Sequence, residues 1–454
     1  MASDIHGPLV PIQSANYPDV MTVPDTNYSK VSSESVNRKK RRKKLLRKRQ
    51  SLVSSSYTDV SHGIANSFES SGENVDTYTS KTRLPGINRA PTPNRINTLS
   101  SPNPRQPGQV VSSQAHERRK KVPLLAAIKP ENERAEKERF MRANFNYNPL
   151  FIYRTPAEPE VLSRFTSPSD KYLSQAKLIM EIAIQRYGSY ELFEEQTGGR
   201  ILTRPQILCL VKRFLRKEDL ESEICLNLSE DLISRGSMTR SKGKPMLNVR
   251  VVNLREQWAE GLLRHEIGTH YLRSLNNRYQ PWNNFKTRRE LGLKPLNPTE
   301  EGLASLHSVL FRPDPCLWRA ALLYYTAYKA SEMSLKDLFR DLGQFVHDPD
   351  VRWDYCIRAK RGQVDTSLPG GFCKDQVYLE GALQILKRRR TINFSLLLKL
   401  GKIAHEDIDM LEEYADLENT RVPSFMYNMT IYRQHVDRIA QCNGLTDQVL
   451  ADVD

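Results

Sequence analysis

The chain has 454 residues, is 39% hydrophobic, holds 26 prolines and carries a formal net charge of +15. That length can build one large or two ordinary cores, and the low apolar content with abundant proline points to a folded domain diluted by a polar tail. No run approaches 18 apolar residues, which excludes a helical membrane span; six scattered cysteines without a CxxC pair exclude zinc ribbons and secreted disulfide scaffolds and read as free thiols of a cytosolic protein.

In chain order, residues 1–121 come first. No secretory signal is visible at their start. They hold 20 Lys and Arg against 9 Asp and Glu, leaving 48 against 44 for residues 122–454. Rich in Ser, Asn, Pro and Thr, with no apolar periodicity, this segment reads as a disordered basic tail. Ten of the twelve residues from Arg38 to Arg49 are basic. Such a block binds nucleic acid, anionic lipid or an acidic protein lattice, serves as a nuclear localisation signal, or is simply solvated. Without interleaved aromatics it is no stacking platform for single strands.

The folded domain is expected over 122–454. Residues 134–142 suggest a charged helix, and the aromatics from Phe145 to Tyr153 would seal the domain's start. Residues 170–196 predict one long amphipathic helix, with Ser167 and Ser169 available as caps and Gly198-Gly199 as its stop. Two further helices are expected over 205–215 and 217–233, then a basic loop from Ser237 to Lys244 and an alternating strand over 246–252. A helix follows over 254–275.

That helix carries His265-Glu266-Ile267-Gly268-Thr269-His270, an HExxxH pattern one residue longer than the HExxH of zincin metallopeptidases. At five residues' separation a regular α-helix leaves two side chains about 140° apart. The histidines converge on one metal only if the helix holds an extra residue, as a π-bulge does, and Gly268 would ease the distortion. The competing reading is a packed pair of core histidines. His405-Glu406 lacks a second histidine at either spacing and reads as helix surface.

Asn297 to Ala304 opens another helix, with Thr299 as a cap before Glu300 and Glu301. In gluzincins the third ligand is a Glu on a separate downstream helix. Two imidazoles and one carboxylate would leave a position for water, as catalytic zinc requires. One Glu could instead favour the helix dipole while the other turns inward.

HEIGTHYLR, the Asn277–Pro281 stretch, TEEGLA, and Arg358–Gly362 followed by Lys374–Tyr378 resemble the microtubule-associated tyrosine carboxypeptidases over about residues 140–450. The resemblance implies zinc peptidases that trim tubulin C-termini, with His265, His270 and Glu301 as ligands of one zinc per chain and Glu266 as catalytic base. It implies tubulin and microtubules as partners and a cytoplasmic, cytoskeletal location, with no membrane, no nucleic acid and a monomeric state expected. Tyr378 is a candidate oxyanion donor. Arg358, Lys360, Arg361 and Lys374 are candidates for holding a substrate carboxylate, and Arg235, Arg240, Lys242 and Lys244 for a second rim.

The remaining segments read as helices over 316–332, 334–345, 375–389, 394–402, 405–416 and 428–440. The fold class is α+β, mainly helical: a zincin-like domain whose small sheet flanks the zinc helix. Two alternatives stand beside the carboxypeptidase: an inactive microtubule-binding protein, and a nucleic-acid-binding protein acting through its basic tail.

Overall fold

The computed structural model describes residues 124–232 and 234–453. The tail expected over 1–121, with its basic block, lies outside them. Helices dominate, and one three-stranded sheet accompanies them, so the architecture is α+β and mainly helical. Among the described residues no helix is long and apolar enough to cross a membrane.

After a single helical turn at Leu124–Ala127 comes helix α1 (Glu133–Arg142). The aromatics after it close this end as expected: Phe145 stacks on Phe339 with ring centroids 4.8 Å apart, and Phe140 meets the same ring edge-on. The single helix expected over 170–196 is two, α2 (Leu173–Tyr187) and α3 (Tyr190–Gly198). Gly188 breaks it at φ +88°, and Ser189 starts the next helix by accepting the Leu192 N–H. Neither Ser167 nor Ser169 caps α2, whose N-cap is Tyr172. Gly199 ends α3 at φ +68°, the left-handed stop expected of it.

Helix α4 (Arg204–Lys217) follows, and from there the sequence reading fails twice. Of the second helix expected over 217–233, none forms over residues 218–232, which instead contain strand β1 (Cys225–Ser229). Ile224, Leu226 and Leu228 recur with period two, the signature of a strand. The supposed basic loop is strand β2 (Gly236–Ser241), which turns through Lys242 and Gly243, both at positive φ, into β3 (Lys244–Arg250). Two consecutive positive φ values make the tight hairpin turn whose twist suits the flanking strands. The sheet order is β1-β3-β2, with β1 parallel and β2 antiparallel to β3; Leu247 faces Leu226 on one side and Met238 on the other.

Next comes a single rod: α5 (Glu256–Leu263), a π-helical segment (Arg264–Tyr271) and α6 (Leu272–Asn277). Then follow α7 (Asn297–Val309), α8 (Trp318–Ala330), α9 (Leu335–Asp341), α10 (Pro349–Ala359), α11 (Val377–Lys387), α12 (Phe394–Lys399) and α13 (Met429–Cys442). The helix expected over 405–416 shrinks to Ile408–Leu411 between 3-10 turns, and α10 has no counterpart in the sequence reading.

Two apolar cores flank the rod. The smaller joins α4, the sheet and the π segment through Ile207, Val211, Leu247, Val249 and Ile267. The larger surrounds α8, where Leu322, Tyr324 and Tyr325 are buried. Helix α7 crosses α11 with backbones touching: a Cβ on Gly302 would fall 2.1 Å from the Gly381 carbonyl carbon, and one on Gly381 would fall 1.6 Å from the Pro298 oxygen. Only glycines fit there, and that close crossing draws the first turn of α11, with Tyr378, toward Glu301.

Candidate metal centre and substrate cleft

The rod carries the HExxxH residues, and its middle is π-helical over the eight residues that contain them. The extra residue per turn removes the angular mismatch that an α-helix would impose. The His265 and His270 rings stand 4.8 Å apart, nearly perpendicular. Glu301, from the first turns of α7, brings its Oε2 within 4.0 Å of His265 Nε2 and 3.5 Å of His270 Nε2. One donor atom from each of the three lies within 4.8 Å of the others. Gly268 sits at ordinary helical φ; its role is room, since a Cβ there would meet the Phe425 ring at 2.7 Å.

The donor set suits a divalent metal of borderline softness: two imidazole nitrogens and one carboxylate oxygen, converging on one point. Glu301 Oε2 is buried with no hydrogen-bond partner. A buried carboxylate oxygen left without a donor is costly unless a cation faces it. The residues therefore fit zinc.

Electrostatics separate the two histidines. Burial, reinforced by His270, depresses His265 to about 3. Burial would also depress His270, but Glu301 and Glu300 outweigh it and raise it to about 10. Glu300 does not face the donor cluster. Its Oε1 lies 2.7 Å from His270 Nδ1, its Oε2 accepts from Arg273 Nη1 at 2.6 Å, and Lys402 Nζ also donates to it. With His270 neutral, Glu300 would accept from Nδ1–H and leave Nε2 to face a metal, as outer carboxylates do in metal sites. Burial pushes Glu266, beside His265, up to about 7.

Thr299 and His405 correct the sequence reading. Thr299 lies inside α7, where its hydroxyl accepts the His405 N–H at 2.9 Å and lies 3.0 Å from His405 Nδ1. His405 is buried, not helix surface.

His265 and Glu266 also line a cleft of about 1310 Å³ including its open mouth, room for more than one residue of a peptide. Trp258, Trp318, Tyr190 and Phe193 form an aromatic wall, with Tyr190 stacked on Trp318 at 5.1 Å. Arg235, Arg250, Arg312, Arg319 and Arg358 also reach it, together with Tyr355 and Tyr378. Arg235, Arg312 and Arg319 pair with no carboxylate among the described residues. Arg312 Nε is buried without a partner, and burial with Arg264 and Arg235 nearby pulls its guanidinium down to about 9. Arg319 is lowered by burial and by Arg235. Burial, then Glu301, pushes the Tyr378 phenol up, so it keeps its proton.

Of the four cations expected to hold a carboxylate, Arg358, Lys360 and Lys374 are otherwise engaged, while burial and the nearby Arg358 lower Arg361 to about 10. Arg358 forks onto Asp375, which overrides burial and raises it. Lys360 is fully buried and donates to the carbonyls of Ala330, Met333, Leu368 and Gly370. Lys374 lies over the Phe165 ring. Of the second rim, Arg235 lines the cleft, while Arg240, Lys242 and Lys244 sit along the β2–β3 hairpin. Arg312 and Arg319 escaped the sequence reading. Their signal was there: Arg319 interrupts the apolar run Leu317 to Tyr325, where a charge needs a reason.

The family model described as "Microtubule-associated tyrosine carboxypeptidase" matches residues 165–443. A mouse protein named "Putative tyrosine carboxypeptidase MATCAP2" is 54% identical over 74% of this chain, and the match spans 64% of that protein's length. The human "Microtubule-associated tyrosine carboxypeptidase 1" is 49% identical over 72% of this chain and 69% of its own. Its mouse counterpart is 50% identical over 72% of this chain and 70% of its own.

Proposed function

This chain belongs to the microtubule-associated tyrosine carboxypeptidase family, and from that premise we propose that it is a zinc-dependent carboxypeptidase that removes the C-terminal tyrosine from tubulin tails on microtubules. The names of its relatives support the substrate and the reaction. The observation that carries the reading is the cleft itself, which joins the His265–His270–Glu301 donor cluster to unpaired arginines and an aromatic wall.

His265, His270 and Glu301 would hold the zinc, which when bound supplies Lewis acidity to water and to a carbonyl. Guanidinium groups that line a cleft without counter-charges call for an anion, and Arg235, Arg312 and Arg319 would take the terminal carboxylate. The rings of Tyr190, Trp258 and Trp318 offer flat faces to a terminal side chain. Glu266, held near neutral pH by burial, accepts the proton of the attacking water and returns one to the leaving amine. Tyr378 keeps its phenolic proton and donates to the oxyanion as it forms. The basic block from Arg38 to Arg49 adds non-specific attraction to an acidic lattice.

Mass spectrometry of an acidic peptide ending in Tyr tests this. The full chain should release the terminal residue, and Glu266→Gln should slow release by about 10²- to 10⁴-fold while keeping zinc. Undiminished release by Glu266→Gln would remove Glu266 from the mechanism.

A further inference from the structure

HExxxH ligates a metal only while the rod stays π-helical, so something must hold that segment in a rare geometry. Thr269, immediately before His270, is fully buried and donates its hydroxyl hydrogen to the Arg264 carbonyl at 3.0 Å, five residues back. Its oxygen lies 2.7 Å from His307 Nδ1, and His307 Nε2 lies 2.8 Å from the Tyr432 hydroxyl. His307 is fully buried, as is Tyr432.

The hydrogens in this chain have one consistent assignment. Thr269 has a single hydroxyl hydrogen, already given to Arg264, so His307 must donate from Nδ1. Its Nε2 is then an acceptor, and Tyr432 donates to it. Both ring nitrogens of His307 are thereby used, so this histidine is no metal ligand. Burial and the nearby Arg264 keep it neutral, consistent with that assignment. The loop closes through Arg264, whose Nε donates to the His307 carbonyl at 3.0 Å.

His307 belongs to α7, the helix that carries Glu301 six residues earlier. The chain therefore ties both ends of the π segment to the element that bears the third donor, and anchors the assembly on α13 through Tyr432. Aligned, fully satisfied hydrogen bonds in a dry interior reinforce one another.

We propose that His307 and Tyr432 are positioning residues for the metal site: through Thr269 they hold the π segment open, at the spacing that lets His265 and His270 share one ion with Glu301. This rests on the zinc reading above. A core network serving stability alone would lower the melting temperature of the metal-free protein without altering the site of the molecules that remain folded.

The test uses the full chain as Tyr432→Phe, which removes one hydroxyl, and His307→Leu, with His307→Asn as a rescue that keeps a donor toward Thr269. Chelator competition should show zinc binding weakened about 10- to 100-fold in Tyr432→Phe and His307→Leu, with partial recovery in His307→Asn. The visible absorption of the cobalt-substituted folded protein should shift in Tyr432→Phe, reporting altered ligand geometry. Unchanged zinc affinity and an unchanged cobalt spectrum in folded Tyr432→Phe would overturn the proposal. Wild-type protein that binds no zinc would instead overturn the zinc reading, so the two failures are distinct.

Discussion

Two arginine-rich regions of this domain treat charge in opposite ways. Between Arg358 and Asp375, Arg358 is forked onto Asp375 and Lys360 is surrounded by four carbonyls. In the cleft wall, Arg235, Arg312 and Arg319 face open space without a carboxylate among the described residues. The first region has spent its charge on holding the chain together, and the second keeps its charge available for a ligand. Basic residues in sequence do not announce which they are; their partners do.

The contrast can be broken from either side. The largest effect is expected at Lys360: Lys360→Met removes the buried ammonium that ties together the Ala330, Met333, Leu368 and Gly370 carbonyls and should cost about 3–5 kcal/mol of stability, read as a denaturant midpoint shift. KM of the folded fraction should stay unchanged. At the cleft, Arg312→Gln and Arg319→Gln should do the reverse. Each loses a charge-assisted hydrogen bond to the substrate carboxylate, about 1.5–3 kcal/mol, so KM for a Tyr-ended peptide should rise about 10- to 100-fold with kcat less affected. An unchanged KM would assign the carboxylate elsewhere.

Glu300→Gln is expected to act more gently. It keeps an acceptor for His270 but loses the charge held by Arg273 and Lys402, and should weaken zinc binding about 10-fold in chelator competition. The smallest effect at working pH concerns Asp375. Burial would raise its carboxyl, but Arg358 outweighs burial and holds it below its ordinary 3.8. A carboxyl with a depressed folded pKa contributes its full stability above pH 3.8 and loses it as pH falls through the lower value. Wild-type denaturation midpoints should therefore fall more steeply below pH 3.8 than those of Asp375→Asn.

The histidine pair was legible because its signal is local, whereas Glu301 was singled out from Glu300 by the family resemblance. His265, Glu266 and His270 sit within six residues, and the one-residue excess over HExxH demanded the π geometry that the rod adopts. The helix break at Gly188 and strands β1 and β2 were not legible. A serine able to cap, a period-two run of three residues and a Lys-Gly hairpin are weak signals against a strong helical background. Arg312 and Arg319 were missed for a different reason: whether an arginine is paired depends on residues far away in sequence. Thr299 and His405 show the same limit, since over a hundred positions separate two residues that bond each other.

The central claim is that His265, His270 and Glu301 hold one zinc on which cleavage depends. Elemental analysis of the dialysed full chain, paired with the same measurement on Glu301→Ala, tests it most directly. The account predicts about one zinc per wild-type chain, lost from Glu301→Ala, with peptide cleavage vanishing in chelator and returning when zinc is restored. A folded, metal-free wild-type chain that still trims the peptide in chelator would contradict it.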